Sequence, residues 1–370
     1  MSANYRKLGD YITQRREKNT AINLPICGVC REGLIPPKQQ DADISLYNVF
    51  YKNDFIFNPA RMELNSITLN TEYDKAICSS LYEIFYINDT SKLLPEFLFV
   101  QLKTDNFVRF CEFQGQGSVR EYCRFANISE YPVIVPDLKE QEKIVNTYNA
   151  ITKRIQLKQK INENLEKTAQ CLFEKYYEKA NLENVVLSNL IDVRDGTHDS
   201  PVFMTEGYPL VTSQNLTPFY INKNETNKIS ETDYKKINER SLVETNDILM
   251  SMIGTVGNVS LVTDEEVTFA IKNVALLKTS KHTEYRNWIL CFLKSHVFAT
   301  WLNETLTGST QQYVSLGEIR KITLKVLTIS ELEKFNLSIN KIINMIIEET
   351  AELVKLQELK QLVISRISGI

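Results

Sequence analysis

The sequence predicts an α/β (α+β) protein of two tandem, pseudo-two-fold-related units, each a globular domain followed by one long helix, the two helices pairing antiparallel. Three observations lead there. A charged, nearly Gly-free run over residues 138–179 carries apolar residues at helical spacing and recurs over 332–367. Short signatures ahead of each run repeat in the same order. Between them, apolar runs of strand length alternate with helical periodicity.

The expected boundaries are a first domain at 1–137, a helix at 138–180, a second domain at 181–328 and a second helix at 329–370. In the first helix Ile144, Tyr148, Ile151, Ile155, Leu165, Ala169, Leu172 and Tyr176 share one heptad register, in which only Lys158 and Asn162 are polar. Adding 191 to each number gives Phe335, Ile339, Ile342, Ile346, Leu356, Lys360, Val363 and Ile367, with Glu349 in the place of Lys158. Asp137 with Glu140 and Thr328 with Glu331 are capping boxes at the same offset, and Ser330 with Glu333 competes for the second start. A helix of about 40 residues spans roughly 60 Å at 1.5 Å per residue, longer than an ordinary domain interior. Antiparallel pairing would bring Lys158 and Glu349 face to face as a register-setting pair; the alternative is that both reach sideways to water.

In chain order, residues 8–12 are echoed at 187–191, and 53–58 at 246–251; the second pair reads as a turn entering a buried strand. Residues 76–87, 259–262 and 273–277 read as strands, and 95–110 and 288–302 as helices. Gly117-Ser118 leading to Tyr122 matches Gly308-Ser309 leading to Tyr313. Both tyrosines are expected to anchor their turns in the core, as are Trp288 and Trp301.

With 370 residues the chain accommodates two cores, and its net charge of -3 carries no basic signature of nucleic-acid binding. Lys and Arg outnumber Asp and Glu only in 138–180, so any DNA surface is local or supplied by partners. No run reaches membrane-span length and residues 1–10 lack a signal-peptide core, which predicts a cytoplasmic protein. The seven cysteines show no disulfide spacing. Cys27 and Cys30 form a CxxC, which leaves a zinc site lacking two ligands or a pair of buried thiols.

Catalytic motifs are missing. Asn58-Pro59-Ala60-Arg61 fails the Asn/Asp-Pro-Pro-aromatic pattern of an adenine methyltransferase at two of four positions, and Gly115-Gln116-Gly117 sits in a polar turn rather than after a strand. No P-loop, nuclease carboxylate cluster or histidine constellation appears among His198, His282 and His296. The chain therefore reads as non-catalytic by itself, binding no cofactor or metal.

The duplicated layout, the Gly-Ser-x-x-x-Tyr turns, residues 193–201 (Val-Arg-Asp-Gly-Thr-His-Asp-Ser-Pro), Thr212-Ser213-Gln214-Asn215 and residues 250–257 (Met-Ser-Met-Ile-Gly-Thr-Val-Gly) together resemble the specificity subunits of type I restriction-modification systems. Residues 53–61 resemble the family's strand pattern in the first unit, which has Gln14 to Asn19 where the second has Gly-Thr-His. The resemblance implies that each domain is a target-recognition domain for one half of a split sequence in double-stranded DNA. The helices would fix the spacing. It further implies docking of two methyltransferase subunits and, where present, restriction subunits, with S-adenosylmethionine, ATP and Mg²⁺ on those partners.

Base reading needs donors and acceptors on rigid turns. The candidates are Arg15, Arg16, Lys18, Gln114, Gln116, Ser118, Arg120 and Arg124 in the first domain. In the second they are Arg194, Thr197, His198, Ser213, Gln214, Asn215, Gln311 and Gln312. His198 is equally a structural histidine holding the Gly196 turn. The rival reading of the chain is a non-catalytic scaffold presenting two protein-binding domains on a helical hairpin; an enzyme with an unrecognised site is a more distant one.

Overall fold

A computed structural model describes residues 5–21, 23–37, 43–115, 122–179, 182–307 and 312–368. The chain divides into two compact units, residues 1–155 with 356–370, and residues 156–355.

The first unit begins with β1 (Arg6–Lys7), β2 (Ile12–Arg15), β3 (Ile26–Cys30), β4 (Gly33–Ile35) and β5 (Asn48–Tyr51). It continues with β6 (Phe55–Phe57), β7 (Ile67–Leu69), β8 (Lys75–Cys78) and β9 (Glu83–Ile87). Then come α1 (Pro95–Gln101), α2 (Asp105–Gly115), α3 (Phe125–Ser129), β10 (Pro132–Val133) and the first half of α4 (Leu138–Tyr177). One sheet runs β2-β9-β6-β7, a second runs β4-β3-β8-β5 with β3 parallel to β8, and β1 pairs with β10.

The second unit has the same plan. Its strands are β11 (Glu183–Val186), β12 (Val193–Asp195), β13 (Tyr208–Val211), β14 (Leu216–Thr217), β15 (Tyr220–Ile221) and β16 (Asn227–Ile229). After them come β17 (Ile248–Ser251), β18 (Val259–Leu261), β19 (Ala270–Ile271), β20 (Val274–Leu277) and β21 (Thr323–Val326). The helices are the second half of α4, α5 (Leu187–Leu190), α6 (Glu231–Ser241), α7 (Thr283–Leu293), α8 (His296–Thr305), α9 (Leu316–Arg320) and, up to residue 355, α10 (Ile329–Ser368), whose remainder belongs to the first unit. Sheet β12-β20-β17-β18 reproduces the strand order of β2-β9-β6-β7, and β16-β13-β19, with β13 parallel to β19, reproduces β4-β3-β8. β11 pairs with β21 as β1 does with β10.

The buried strands explain this correspondence. Phe55, Phe57 and Phe85 point into one apolar cluster while Ile56 and Ile84 point into another, the two faces of a strand of period two. Ile248 and Met250 separate from Leu249 in the same way. Each of these strands is entered through an asparagine in the left-handed region, Asn53 (φ 67°) and Asn246 (φ 73°). A buried aspartate follows each: Asp54 accepts from the Tyr51 amide at 2.8 Å and Asp247 from the Glu244 amide at 2.7 Å. The Asp54 charge meets Arg15 at 2.6 Å, and Asp247 meets Lys278 at 2.6 Å.

Two sequence expectations change. The helices read at 95–110 and 288–302 are each two helices, broken at Thr104 and Ser295. Those hydroxyls donate to Gln101 O and Phe292 O at 2.8 and 2.7 Å and accept from the Phe107 and Phe298 amides, so each caps a new start that apolar periodicity alone does not reveal. The strand read at 76–87 is β8 and β9, separated by a turn closed by Tyr82 N to Ser79 O at 3.0 Å.

Helix starts follow the capping residues. Glu140 N donates to Asp137 Oδ1 at 2.9 Å, while Thr328 and Glu331 satisfy each other reciprocally, so α10 starts there and not at Ser330. In the first unit Tyr148 of α4 packs with Val100, Ile364 and Ile367, and the Lys360 ammonium lies 4.8 Å over its ring. In the second unit Tyr176 meets Phe335 edge-on at 5.5 Å. Phe173 and Ile343 lie off the expected heptad register yet are buried, because a second face of each helix packs on the domain: Phe173 lies 4.8 Å from Trp288. Lys158 Nζ is 2.7 Å from Glu349 and 2.6 Å from Glu352, and Asn162 donates to Thr350 at 3.1 Å.

Trp288 is fully buried and donates to Lys325 O at 2.8 Å; Trp301 is half-buried and stacks on Phe298. Tyr313 does not anchor in the core: its side chain is 46% exposed, and its backbone pairs with Thr307 and bridges to Ile253. Tyr122 is half-buried, with the Arg124 guanidinium over its ring. Among the described residues no helix is long and apolar enough to cross a membrane.

Candidate nucleic-acid interface

In the second unit β12 ends in the tight segment Asp195-Gly196-Thr197-His198. Gly196 is required there, since a Cβ would lie 2.3 Å from the Ile271 carbonyl oxygen. Thr197 donates its amide to that same carbonyl at 3.0 Å, and its hydroxyl accepts from the Asp199 amide at 3.1 Å. The His198 ring is held at both nitrogens, Nε2 by Asp195 Oδ2 at 2.7 Å and Nδ1 by Asn273 Oδ1 at 2.8 Å. The Asp195 hydrogen bond, and then the one to Asn273, raise the imidazole pKa above its ordinary value, because two acceptors favour the doubly protonated ring. The other Asp195 oxygen pairs with Arg240. Arg240 O in turn accepts from Arg194, whose Nε also meets Asp192 at 2.6 Å. Lys272 Nζ donates to Ser200 at 2.7 Å. Beside this cluster lies a hollow of about 350 Å³, lined by Thr197, Asp199, Ser200, Asp233, Lys236 and Arg240.

The structure thus brings Arg194, Thr197 and His198 together, and adds Asp195, Arg240, Asn273 and Lys272. Of these, only Asp195 lay in a motif legible in the sequence. Ser213 and Gln214 stand on a short 3-10 turn with Gln214 exposed. Asn215 is different: it is buried, and its Oδ1 accepts from the Thr212 amide and hydroxyl at 2.9 and 3.0 Å. Its amide therefore builds the turn rather than facing solvent. Gln312 is exposed, and Gln311 lies outside the described residues.

In the first unit Arg15 is committed to the fold. Its guanidinium holds both Asp54 oxygens, at 2.6 and 3.1 Å, and stacks on Tyr51 and Tyr86. Arg16 is exposed and donates to Gln14 at 2.8 Å; Lys18 bridges Leu46 O and Asn48 at 3.0 and 2.8 Å. Arg124 pairs with Glu83 at 3.3 Å while remaining 63% exposed, and Gln114 is half-buried at the end of α2. Gln116, Ser118 and Arg120 lie outside the described residues. Cys27 is buried and Cys30 Sγ approaches Gly33 O at 3.6 Å. Among the described residues no group of three or more His, Cys, Asp or Glu is placed to hold a metal ion.

Residues 36–167 match the protein family described as the type I restriction modification DNA specificity domain. Residues 36–167, a little over a third of the chain, thus resemble that specificity domain. The type I restriction enzyme HindI specificity subunit of Haemophilus influenzae is 24% identical over 111 residues, which are 30% of this chain and 24% of that protein. The match thus spans about a quarter of the curated relative's length. Among solved structures, the S subunit of a type I restriction-modification system from M. genitalium covers 99% of this chain and 96% of its own, with a TM-score of 0.58 at 13% identity. This likeness shows that the two proteins share a fold along nearly the whole of each chain. The HsdS subunit of Thermoanaerobacter tengcongensis is also similar, at a TM-score of 0.42 and 17% identity, covering 98% of this chain and 96% of that one.

Proposed function

We propose that this chain is the DNA-specificity subunit of a type I restriction-modification complex, non-catalytic by itself. Its domains at 1–137 and 181–328 act as target-recognition domains, each reading one half of a bipartite double-stranded DNA target. The helices at 138–180 and 329–370 set the distance between the halves, with Lys158 and Glu349 setting their register. Two methyltransferase subunits, and restriction subunits where present, dock on the chain. S-adenosylmethionine serves the methyltransferases, and ATP with Mg²⁺ the restriction subunits. The complex works in the cytoplasm.

One observation carries the reading: a single chain holds two copies of one sheet order whose equivalent turns bear unlike side chains. A conserved scaffold with diverged turns suits two unlike half-sites, since base contacts specify and scaffolds position. Within the second domain, Arg194, Thr197, His198, Ser213, Gln214, Gln311 and Gln312 are the candidate readers, and in the first, Arg16, Lys18, Gln114, Gln116, Ser118, Arg120 and Arg124. Arg15 and Asn215 are assigned instead to holding their turns.

The test is genome-wide mapping of N6-methyladenine in the source organism and in a strain deleted for this gene. Loss of methylation at one split motif is expected. If methylation persists unchanged and co-expression with the neighbouring methyltransferase yields no split-motif methylation either, the reading fails. The scaffold alternative would then be favoured by partner binding that is indifferent to DNA and salt.

A further inference from the structure

The first unit contains a cleft of about 750 Å³ in which Arg31, Glu32, Asn58, Arg61, Glu63 and Tyr82 take part. Arg31 and Glu32 are the two turn residues between the paired Cys30 and Gly33 of β3 and β4. The hairpin is clamped from behind: Lys103 Nζ donates to Arg31 O at 2.8 Å and to Ile67 O at 2.7 Å, tying the turn to β7. Arg61 lies on the turn between β6 and β7, which Asn58 Oδ1 caps at 3.1 Å and Cys123 N fixes through Pro59 O at 3.0 Å. Both arginines are exposed, and among the described residues no hydrogen bond or close ion pair holds either guanidinium, although the Arg31 charge helps to lower the pKa of the adjacent Glu32. Two rigid turns thus hold two uncommitted guanidinium forks at one cleft.

The second unit has the same turn with different chemistry. Val314 N donates to Met252 O at 3.0 Å, the counterpart of Cys123 N to Pro59 O, and this alignment puts Gly254 in the place of Arg61. Gly254 has φ +82°, and a Cβ built there meets nothing within 4 Å. Arg31 also lacks a counterpart, because β13 and β16 are joined through β14 and β15 rather than by a two-residue turn.

We propose that Arg31 and Arg61 read base edges in the half-site of the first unit, and that their absence from the equivalent place in the second is one reason the halves differ in sequence. The proposal rests on the DNA-specificity reading above. Base edges rather than phosphates are indicated by Glu32 and Glu63 in the same cleft. Carboxylates repel a phosphate, whereas a G·C pair offers acceptors on guanine for arginine and a donor on cytosine for glutamate.

The experiment uses the full chain in complex with its methyltransferase subunits, wild type and with R31A or R61A, and duplexes carrying the mapped target or single-base changes in either half. Binding is measured across a salt series. Loss of about 10–100-fold in discrimination at one or two base pairs of a single half-site, with an unchanged salt slope, is expected. Uniform weakening on all duplexes with a shallower salt slope would mean phosphate contacts and overturns base reading, and unchanged binding overturns the assignment of the cleft. A wild-type complex that prefers no split target would overturn the DNA-specificity reading itself. Thermal midpoints of both variants should match wild type, since neither side chain braces the fold.

Discussion

Replacing Lys158 by glutamate puts a third carboxylate where an ammonium now lies 2.7 Å from Glu349 and 2.6 Å from Glu352. The three side chains are only 16%, 22% and 33% exposed, so solvent screens them incompletely. The two glutamates hold the Lys158 pKa above its ordinary value, Glu349 first. The linkage sign follows: this stabilisation is fully present below the usual lysine pKa and is lost as pH rises through the raised one. Opposite charges at 4 Å attract by about 4 kcal/mol at an effective dielectric of about 20, part of which offsets desolvation. Removing one partner of a buried pair costs about 3–5 kcal/mol, and this one keeps some water, so a loss of about 3 kcal/mol is expected for Lys158→Glu. For a unit of about 200 residues that corresponds to a fall in Tm of roughly 6–12 °C, measurable by calorimetry at neutral pH. Combining it with Glu349→Lys restores one cation between two carboxylates and should recover at least half of the loss. A double variant no more stable than the single ones would refute a register-setting role.

Inserting four residues into each long helix, roughly one turn or 6 Å, should lengthen the preferred spacer between half-sites by about two base pairs in methylation mapping; an unchanged spacer removes the distance-setting role. Lys278→Met leaves Asp247, fully buried, with backbone amide donors but no cation, and should destabilise the second unit by about 3 kcal/mol in urea unfolding; a change below about 0.5 kcal/mol would refute the brace. Glu244, held down to about 2 by Lys278 and then Lys281, contributes stability that is present above the usual glutamate pKa and fades as pH falls through about 2. That contribution should shrink in the acid-unfolding curve of Lys278→Met, with the part owed to Lys281 at 2.8 Å remaining. His198, titrated by NMR, should show a pKa above about 6.5, and Asp195→Asn should bring it back down. No change on that substitution would refute the Asp195 contact.

The long helices were legible because their information is local. Heptad spacing, capping boxes and a repeat at a fixed offset of 191 survive in the sequence wherever helices lie. The Asn-Asp turns entering β6 and β17 were legible for the same reason, since Asn53 and Asn246 supply the left-handed residue and the following aspartate binds an amide three residues back. The breaks at Thr104 and Ser295 were not. A hydroxyl capping a second helix within an unbroken apolar run competes with continuation of the first, and packing settles that contest.

For the candidate interface the division is sharper. Residue types and turns marked Arg194, Thr197 and His198, but the partners that hold them, Arg240 and Asn273, stand 46 and 75 positions away from Arg194 and His198. The same long-range pairing took Arg15 out of the set of free donors by delivering Asp54 to it, and left Arg31 and Arg61 uncommitted at one cleft. The sequence by itself determined the two long helices, because heptad spacing and capping depend on side chains within a few positions of one another, and the repeat that copies them stands in the sequence itself. Only the tertiary structure decided which arginines are braces and which are free, because a guanidinium is committed by whatever carboxylate the folded sheets bring within about 3 Å, and no local pattern records that distance.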